Sequence, residues 1–242
     1  MYGRTKWLAG VWLAVLILAS FGCGGMESEF EAGMEAYGRG DYETALQKWR
    51  PLAEDGNASA QTNLGVMYYQ GLGVRRDYQE ALKWYRMAAL QGYPDAEFNL
   101  GVAYADGRGV ERDYREALRW YRLAAEQGYS PAQLVLGDMY YRGQGVGVDY
   151  REAAQWYRQA AEAGQPAAQF LLGTLYVAGQ GVSKDFVQAY FWLTLASSQG
   201  SDAARENTLR SRELLAQQMT QEKIAEAEKL VRDWESRNSP RK

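Results

Sequence analysis

Apolar and small residues recur along this chain at two nested spacings. In residues 96–128, Ala96, Leu100, Gly101 and Tyr104 fall on one helical face, and Ala117, Tyr121, Ala124 and Ala125 do so again after a glycine-rich break. The spacing predicts a first helix of about three turns, stopped by Gly107-Arg108-Gly109, whose glycines tolerate positive φ. Asp113-Tyr114-Arg115-Glu116 predicts the start of a second helix through a capping box, in which the Asp accepts a first-turn N–H and the Glu reaches back. Gly128 ends that helix, and Ser130 followed by Pro131 reads as the N-cap and first turn of the next.

The larger spacing is 36 residues. Asp41, Asp77, Asp113, Asp149 and Asp185 keep it, as do Gly56, Gly92, Gly128, Gly164 and Gly200. The box recurs as Asp77/Glu80 and Asp149/Glu152, with Gln188 replacing Glu after Asp185. A period of this length marks a unit that stacks on its neighbours to bury its apolar face, so an all-α solenoid of about five to six helix-turn-helix repeats is expected over 30–200. Gly65, Gly101, Gly137 and Gly173 admit close helix approach, while Trp84, Trp120 and Trp156 with Tyr68, Tyr104, Tyr140 and Tyr176 fill the spaces between. Because these aromatics keep the register, they are assigned to packing rather than to a ligand. After Gly200 the pattern fades into a polar helical stretch from Asp202 to Met219 and a last helix with Ile224, Ala227, Val231 and Trp234 on one face. Residues 201–235 are read as C-terminal capping helices and 236–242 as a flexible tail.

The N-terminus has a different pattern. Arg4 and Lys6 precede an uncharged run from Trp7 to Phe21, and Ser20-Phe21-Gly22 precedes Cys23 as an export cleavage site would. Residues 1–22 are therefore expected to be a signal peptide, or an uncleaved N-terminal anchor over 7–21, with 23–29 a short tether. Cys23 is the only cysteine, and its place resembles the lipidated cysteine of bacterial lipoproteins, although Ser20 and Phe21 depart from the usual leucine and small residue. The expected localisation is the periplasmic face of the cell envelope, lipid-anchored at Cys23, or else soluble in the periplasm. Membrane contact is expected through this terminus only.

Composition narrows the chemistry. The formal net charge is -3 and there is no histidine, so nucleic acid is not expected as a partner, and no zinc, thiol or histidine-based catalytic site can be assembled. No catalytic residue, cofactor or metal is expected. Glycine-rich turns such as Gly143-Gln144-Gly145 lack a following lysine-serine or lysine-threonine pair, which excludes a phosphate loop.

The pattern A-x-x-x-L-G-x-x-Y-x-x-G-x-G-V-x-x-D-Y-x-E-A-x-x-W-Y-x-x-A-A-x-x-G in Ala96 to Gly128 resembles the Sel1-like repeat, a subclass of tetratricopeptide-like α-solenoids. The resemblance covers about residues 41–200. Gly33-Met34-Glu35-Ala36-Tyr37 resembles a first helix whose following loop is four residues shorter, nearer an ordinary tetratricopeptide unit. The family implies antiparallel helix pairs in a right-handed superhelix and a non-enzymatic protein–protein interaction scaffold or adaptor. Many bacterial members are exported and act in the envelope, so envelope proteins or extended peptide segments are the implied partners. Cysteine-rich members staple each repeat with a disulfide, and this chain has no cysteine in its repeats.

Positions that break the period are the candidate site. Asn63, Val66 and Gln70, then Asn99, Val102 and Asp106, then Val135, Asp138 and Arg142, then Leu171, Thr174 and Ala178 vary in chemistry while standing at i, i+3 and i+7 on successive first helices. In related solenoids these helices line the concave surface, so the stripe is the expected partner-binding groove. An alternative reading is a carbohydrate-active protein that binds or hydrolyses peptidoglycan or exopolysaccharide, with Asp106 and Asp138 approaching one another as a carboxylate pair beside exposed tyrosines.

Overall fold

The computed structural model describes residues 26–198 and 202–238. The signal or anchor over 1–22 and the modification of Cys23 lie outside the described residues. Among these, the chain is all α. Helices α1 (26–38), α2 (Tyr42–Glu54), α3 (Ala58–Gln70), α4 (Tyr78–Ala89), α5 (Pro94–Asp106) and α6 (Tyr114–Glu126) are followed by α7 (Ser130–Arg142), α8 (Tyr150–Glu162), α9 (Pro166–Ala178), α10 (Phe186–Ser198), α11 (Asp202–Ala216) and α12 (Gln221–Asn238). They form six successive pairs, and within each unit neighbouring helices pack in chain order, α2 to α4 in the first and α6 to α11 in the second. The chain divides into two compact units, one of Met1–Leu100 with Arg108–Val110 and the other of Gly101–Gly107 with Glu111–Lys242.

In the first five pairs the second helix starts at its aspartate, but only half of the predicted capping box is used. Asp113 Oδ1 accepts the N–H groups of Arg115 and Glu116 at 2.8 and 3.1 Å, and Asp77 and Asp149 do the same in their repeats. The return arm from Glu has no donor to meet. The Asp113 N–H donates instead to the Tyr104 carbonyl at 2.9 Å, as Asp77 does to Tyr68 and Asp149 to Tyr140, which folds the turn back onto its own first helix. Glu116 and Glu80 pair with Arg119 and Lys83 on the helix surface. Ser130 is also displaced from its expected role. Tyr129 is the N-cap of α7, in extended conformation and without a side-chain cap, while the Ser130 hydroxyl accepts from Gln165 Nε2 at 3.0 Å.

Two glycine series fix how helices meet, each for a different reason. In the turns, Gly73, Gly109, Gly145 and Gly181 have φ near +70° and also rest on the start of the preceding second helix, at Tyr42, Tyr78, Tyr114 and Tyr150 respectively. A Cβ on Gly145 would lie 2.4 Å from the Tyr114 carbonyl oxygen. Within the first helices, Gly65, Gly101 and Gly137 form notches filled by the rings of Tyr85, Tyr121 and Tyr157. The sequence assigned the filling to the tryptophans and to Tyr68, Tyr104, Tyr140 and Tyr176; the side chain against the notch is the tyrosine following each tryptophan. Trp49 and Trp84 are buried, whereas Trp120 and Trp156 are half-buried.

Polar groups close the gaps between pairs. Gln61, Gln133 and Gln169 are buried, and each donates Nε2 to a carbonyl in the last turn of the preceding second helix, Ala53, Ala125 and Ala161, at 2.9–3.1 Å. Arg50 and Arg158 donate to the hydroxyls of Tyr68 and Tyr176, and Arg122 does so to Tyr140. These bonds explain why Tyr68 and its equivalents keep the register.

The ends differ from the middle. α1 begins at 26, inside the stretch read as a tether, because Phe30 packs against Trp49 and receives the Trp49 indole N–H on its carbonyl at 3.2 Å, while Glu29 pairs with Lys48 at 2.8 Å. At the other end α12 continues to Asn238, three residues into the expected tail, with Asn238 Nδ2 bonded to the Trp234 carbonyl. Leu215 and Ala227 close the apolar cluster formed by Ala189, Tyr190 and Leu193 of α10, with Ile224 packed against it.

Candidate functional site

The period-breaking positions all lie on first helices, with one pattern of exposure. The first two residues of each set are half-buried, and the third, Gln70, Asp106, Arg142 or Ala178, is exposed. The exposed third residue is thus an amide on α3, a carboxylate on α5, a guanidinium on α7 and a methyl on α9. Asn63, Val66, Gln70 and Asn99 belong to the first unit, and Val102, Asp106, Val135, Asp138, Arg142, Leu171, Thr174 and Ala178 to the second.

Asp138 has a structural partner that the sequence reading missed. Its Oδ1 accepts the Tyr157 hydroxyl at 2.6 Å. Position 138 is valine in the two preceding repeats, at Val66 and Val102, so the acid is a local addition that anchors the notch-filling tyrosine of its own repeat. The pairing could have been sought in the fixed offset from 138 to 157, which the equivalent pair Val66 and Tyr85 shares. A charge change at Asp138 therefore acts on packing as well as on any partner. Arg142, one turn on, makes no hydrogen bond or ion pair among the described residues and presents its guanidinium to solvent.

Elsewhere in the strip, Asn63 Nδ2 contacts the Met34 sulfur at 3.7 Å, and the Thr174 hydroxyl is turned inward onto the Leu171 carbonyl at 2.6 Å. Leu171 also lines an apolar cleft of ≈ 690 Å³ between α9, α10 and α11, with Pro166, Phe170, Ala196 and Ala204. The strip in the second unit therefore runs from charged at α7 to apolar at α9.

Burial first, then the hydrogen bond to Asp138, raises the Tyr157 phenol above its ordinary value, and burial raises Tyr85 likewise. A raised folded-state value means that the stabilisation is fully present below the unfolded value of about 10 and declines as pH rises beyond it. The melting temperature should fall above about pH 10, and Tyr157→Phe should flatten that fall. An unchanged slope in Tyr157→Phe would show that this phenol does not govern the alkaline limb.

Among the described residues no group of three or more acids, cysteines or histidines is placed to hold a metal ion, and no helix is long and apolar enough to cross a membrane.

Known proteins share this arrangement. The Sel1 repeat model matches residues 58–93, 94–129, 130–165 and 166–201, each starting at or next to the first helix of a pair and taking in the second. No curated protein matches the chain. Among solved structures, c5321, a protective antigen of uropathogenic Escherichia coli with an SLR fold, is 39% identical with a TM-score of 0.69. That match covers 75% of this chain and 40% of the E. coli chain, so the similarity spans less than half of that chain's length. A Sel1 repeat protein from Oxalobacter formigenes is 37% identical with a TM-score of 0.66, over 72% of each chain. Proteins built of these repeats are generally protein-interaction scaffolds. With the half-used caps, the glycine notches and the turn glycines recurring in the same four segments that the family model matches, this chain belongs to the Sel1 repeat family.

Proposed function

We propose that this chain is an exported, non-catalytic scaffold of the bacterial cell envelope, tethered by lipid on Cys23 after removal of residues 1–22, and that it holds partner proteins or extended segments along the strip on its first helices. The observation that carries this reading is the contrast within one repeat. Positions facing the neighbouring pair keep one chemistry, while the exposed edge at Gln70, Asp106, Arg142 and Ala178 has four. A surface that repeats in geometry and varies in chemistry suits reading an extended partner residue by residue. The E. coli relative is a protective antigen, which fits an exported protein.

A photo-crosslinking amino acid at position 142 or 178 should capture a discrete protein in the intact envelope, and the same probe at Gln155, on the exposed face of α8, should not. Equal capture from 142 and 155 would count against the strip. Mass spectrometry of the mature N-terminus should find an acylated Cys23; an unmodified residue, or an intact segment 1–22, would remove the lipid tether.

A further inference from the structure

The turn between α3 and α4 departs from its equivalents in a second way, unconnected with the strip. Arg75 stands where the later repeats have Glu111, Gly147 and Ser183, and Arg108 stands where the others have Leu72, Gln144 and Gln180. Arg76 keeps a basic position shared with Arg112 and Lys184. Arg75 and Arg76 stand in this turn, and Arg108 comes to the same tyrosine pair from the turn after α5, in a protein of net negative charge.

Two tyrosines hold this cluster in place. The rings of Tyr69 and Tyr78 meet edge to face at 5.0 Å. Arg76 lies 5.5 Å from the Tyr78 ring centroid, and Arg108 lies 5.6 and 6.0 Å from Tyr69 and Tyr78. At Arg76 the ring holds the cation through its charge and leaves the guanidinium N–H groups to meet a planar acceptor. Asp77, next to Arg76 in the chain, is spent on the backbone of Gln79 and Glu80. Arg75 and Arg76 are exposed and make no hydrogen bond or ion pair among the described residues. Beside them lies a cleft of ≈ 620 Å³ lined by Tyr68, Val74, Tyr78, Gln79 and Gly109.

We propose that this turn is a docking surface for a short acidic peptide segment, in which carboxylates meet the edges of Arg75 and Arg76 and an adjacent aromatic side chain enters the cleft beside Tyr78. Charge selects the partner. Arg76, already held against Tyr78, surrenders less freedom on forming a carboxylate pair than an unrestrained side chain would, so half of the surface is organised before its ligand arrives. A long polyanion such as nucleic acid fits poorly, because the same unit also exposes Glu27, Glu31, Glu43 and Glu54 and has no further run of cations in its sequence to follow a phosphate backbone. A short segment meets only the basic turn.

Fluorescence polarisation of a labelled peptide of alternating glutamate and tyrosine, added to the full chain at low salt, tests the proposal. Arg75→Glu with Arg76→Glu should weaken binding by about tenfold or more, the neutral Gln pair should weaken it less, and raising salt should weaken the parent complex. Because both side chains are exposed, the melting curve of the variant should overlay the parent. Equal binding of a peptide with every glutamate changed to glutamine would overturn the proposal, as would equal or tighter binding of a single-stranded oligonucleotide. So would loss of peptide binding in Arg142→Glu with retention in the Arg75/Arg76 variant, which would move the site to the strip.

Discussion

Gly145→Ala should be among the most damaging single-methyl changes in this protein, costing about 3 kcal/mol. Two penalties add at this position. Its φ is +71°, a region that costs an L-residue roughly 1–2 kcal/mol. The new Cβ would also sit 2.4 Å from the Tyr114 carbonyl oxygen, backbone that cannot swing aside. The loss of unfolded-chain freedom recovers only about 0.4–1 kcal/mol. The same turn contains its own control, since a Cβ on Gly147 meets nothing within 4 Å and its φ is not positive. Urea denaturation followed by circular dichroism should therefore separate Gly145→Ala sharply from Gly147→Ala. Similar midpoints would mean that the turn is not the seat between repeats described above.

Gly137→Ala poses a contest of signs. Alanine is favoured over glycine inside a helix by about 1 kcal/mol, whereas overpacking a closed core costs about 1–3 kcal/mol. Overpacking should win here. The Cβ would lie 2.4 Å from the flat Tyr157 ring, which is 1% exposed and has its hydroxyl fixed on Asp138 at 2.6 Å. In the last family repeat the contest is closer, because Gly173 faces Leu193 at 3.0 Å from Cγ, and a branched chain yields more readily than a ring. Gly173→Ala should thus be milder than Gly137→Ala. Tyr157→Leu should rescue Gly137→Ala, with a coupling of about 1–2 kcal/mol in a double-mutant cycle. Strict additivity of the two changes would show that ring and notch do not oppose one another.

The period of the chain made the helix pairs legible before any coordinates, because stacking pins core positions in register and helical spacing marks the buried face. What it left out are choices between geometrically equivalent partners. The capping box could be read at Asp113 and Glu116, but only the fold shows that the Asp113 N–H is taken by the Tyr104 carbonyl, leaving the glutamate to pair with Arg119. Glycine at 65, 101 and 137 announced close contact, yet whether tryptophan or its tyrosine neighbour fills the notch depends on the rotation of the second helix. For the strip, the sequence located the variable positions, and the structure adds that Asp138 is bonded to Tyr157 and that Leu171 belongs to a cleft involving α11, a helix outside the repeats matched by the family model. Neither relation is periodic, so no spacing argument reached it. The arginines at 75 and 108 were equally visible as exceptions, but that Arg108 meets the Tyr78 ring beside Arg76 is a matter of tertiary placement.

The turn glycines bear on how such a protein can change length. Gly145 rests on Tyr114 and Gly181 rests on Tyr150, the same residue types in the same relation one repeat apart. Excising residues 130–165 as a block would bring Gly181 onto Tyr114, a junction of the kind already present, with every cap and notch of the remaining pairs in phase. Lineages can therefore shorten or extend the run of repeats by whole modules without inventing a new joint, whereas a deletion out of phase with the period breaks one.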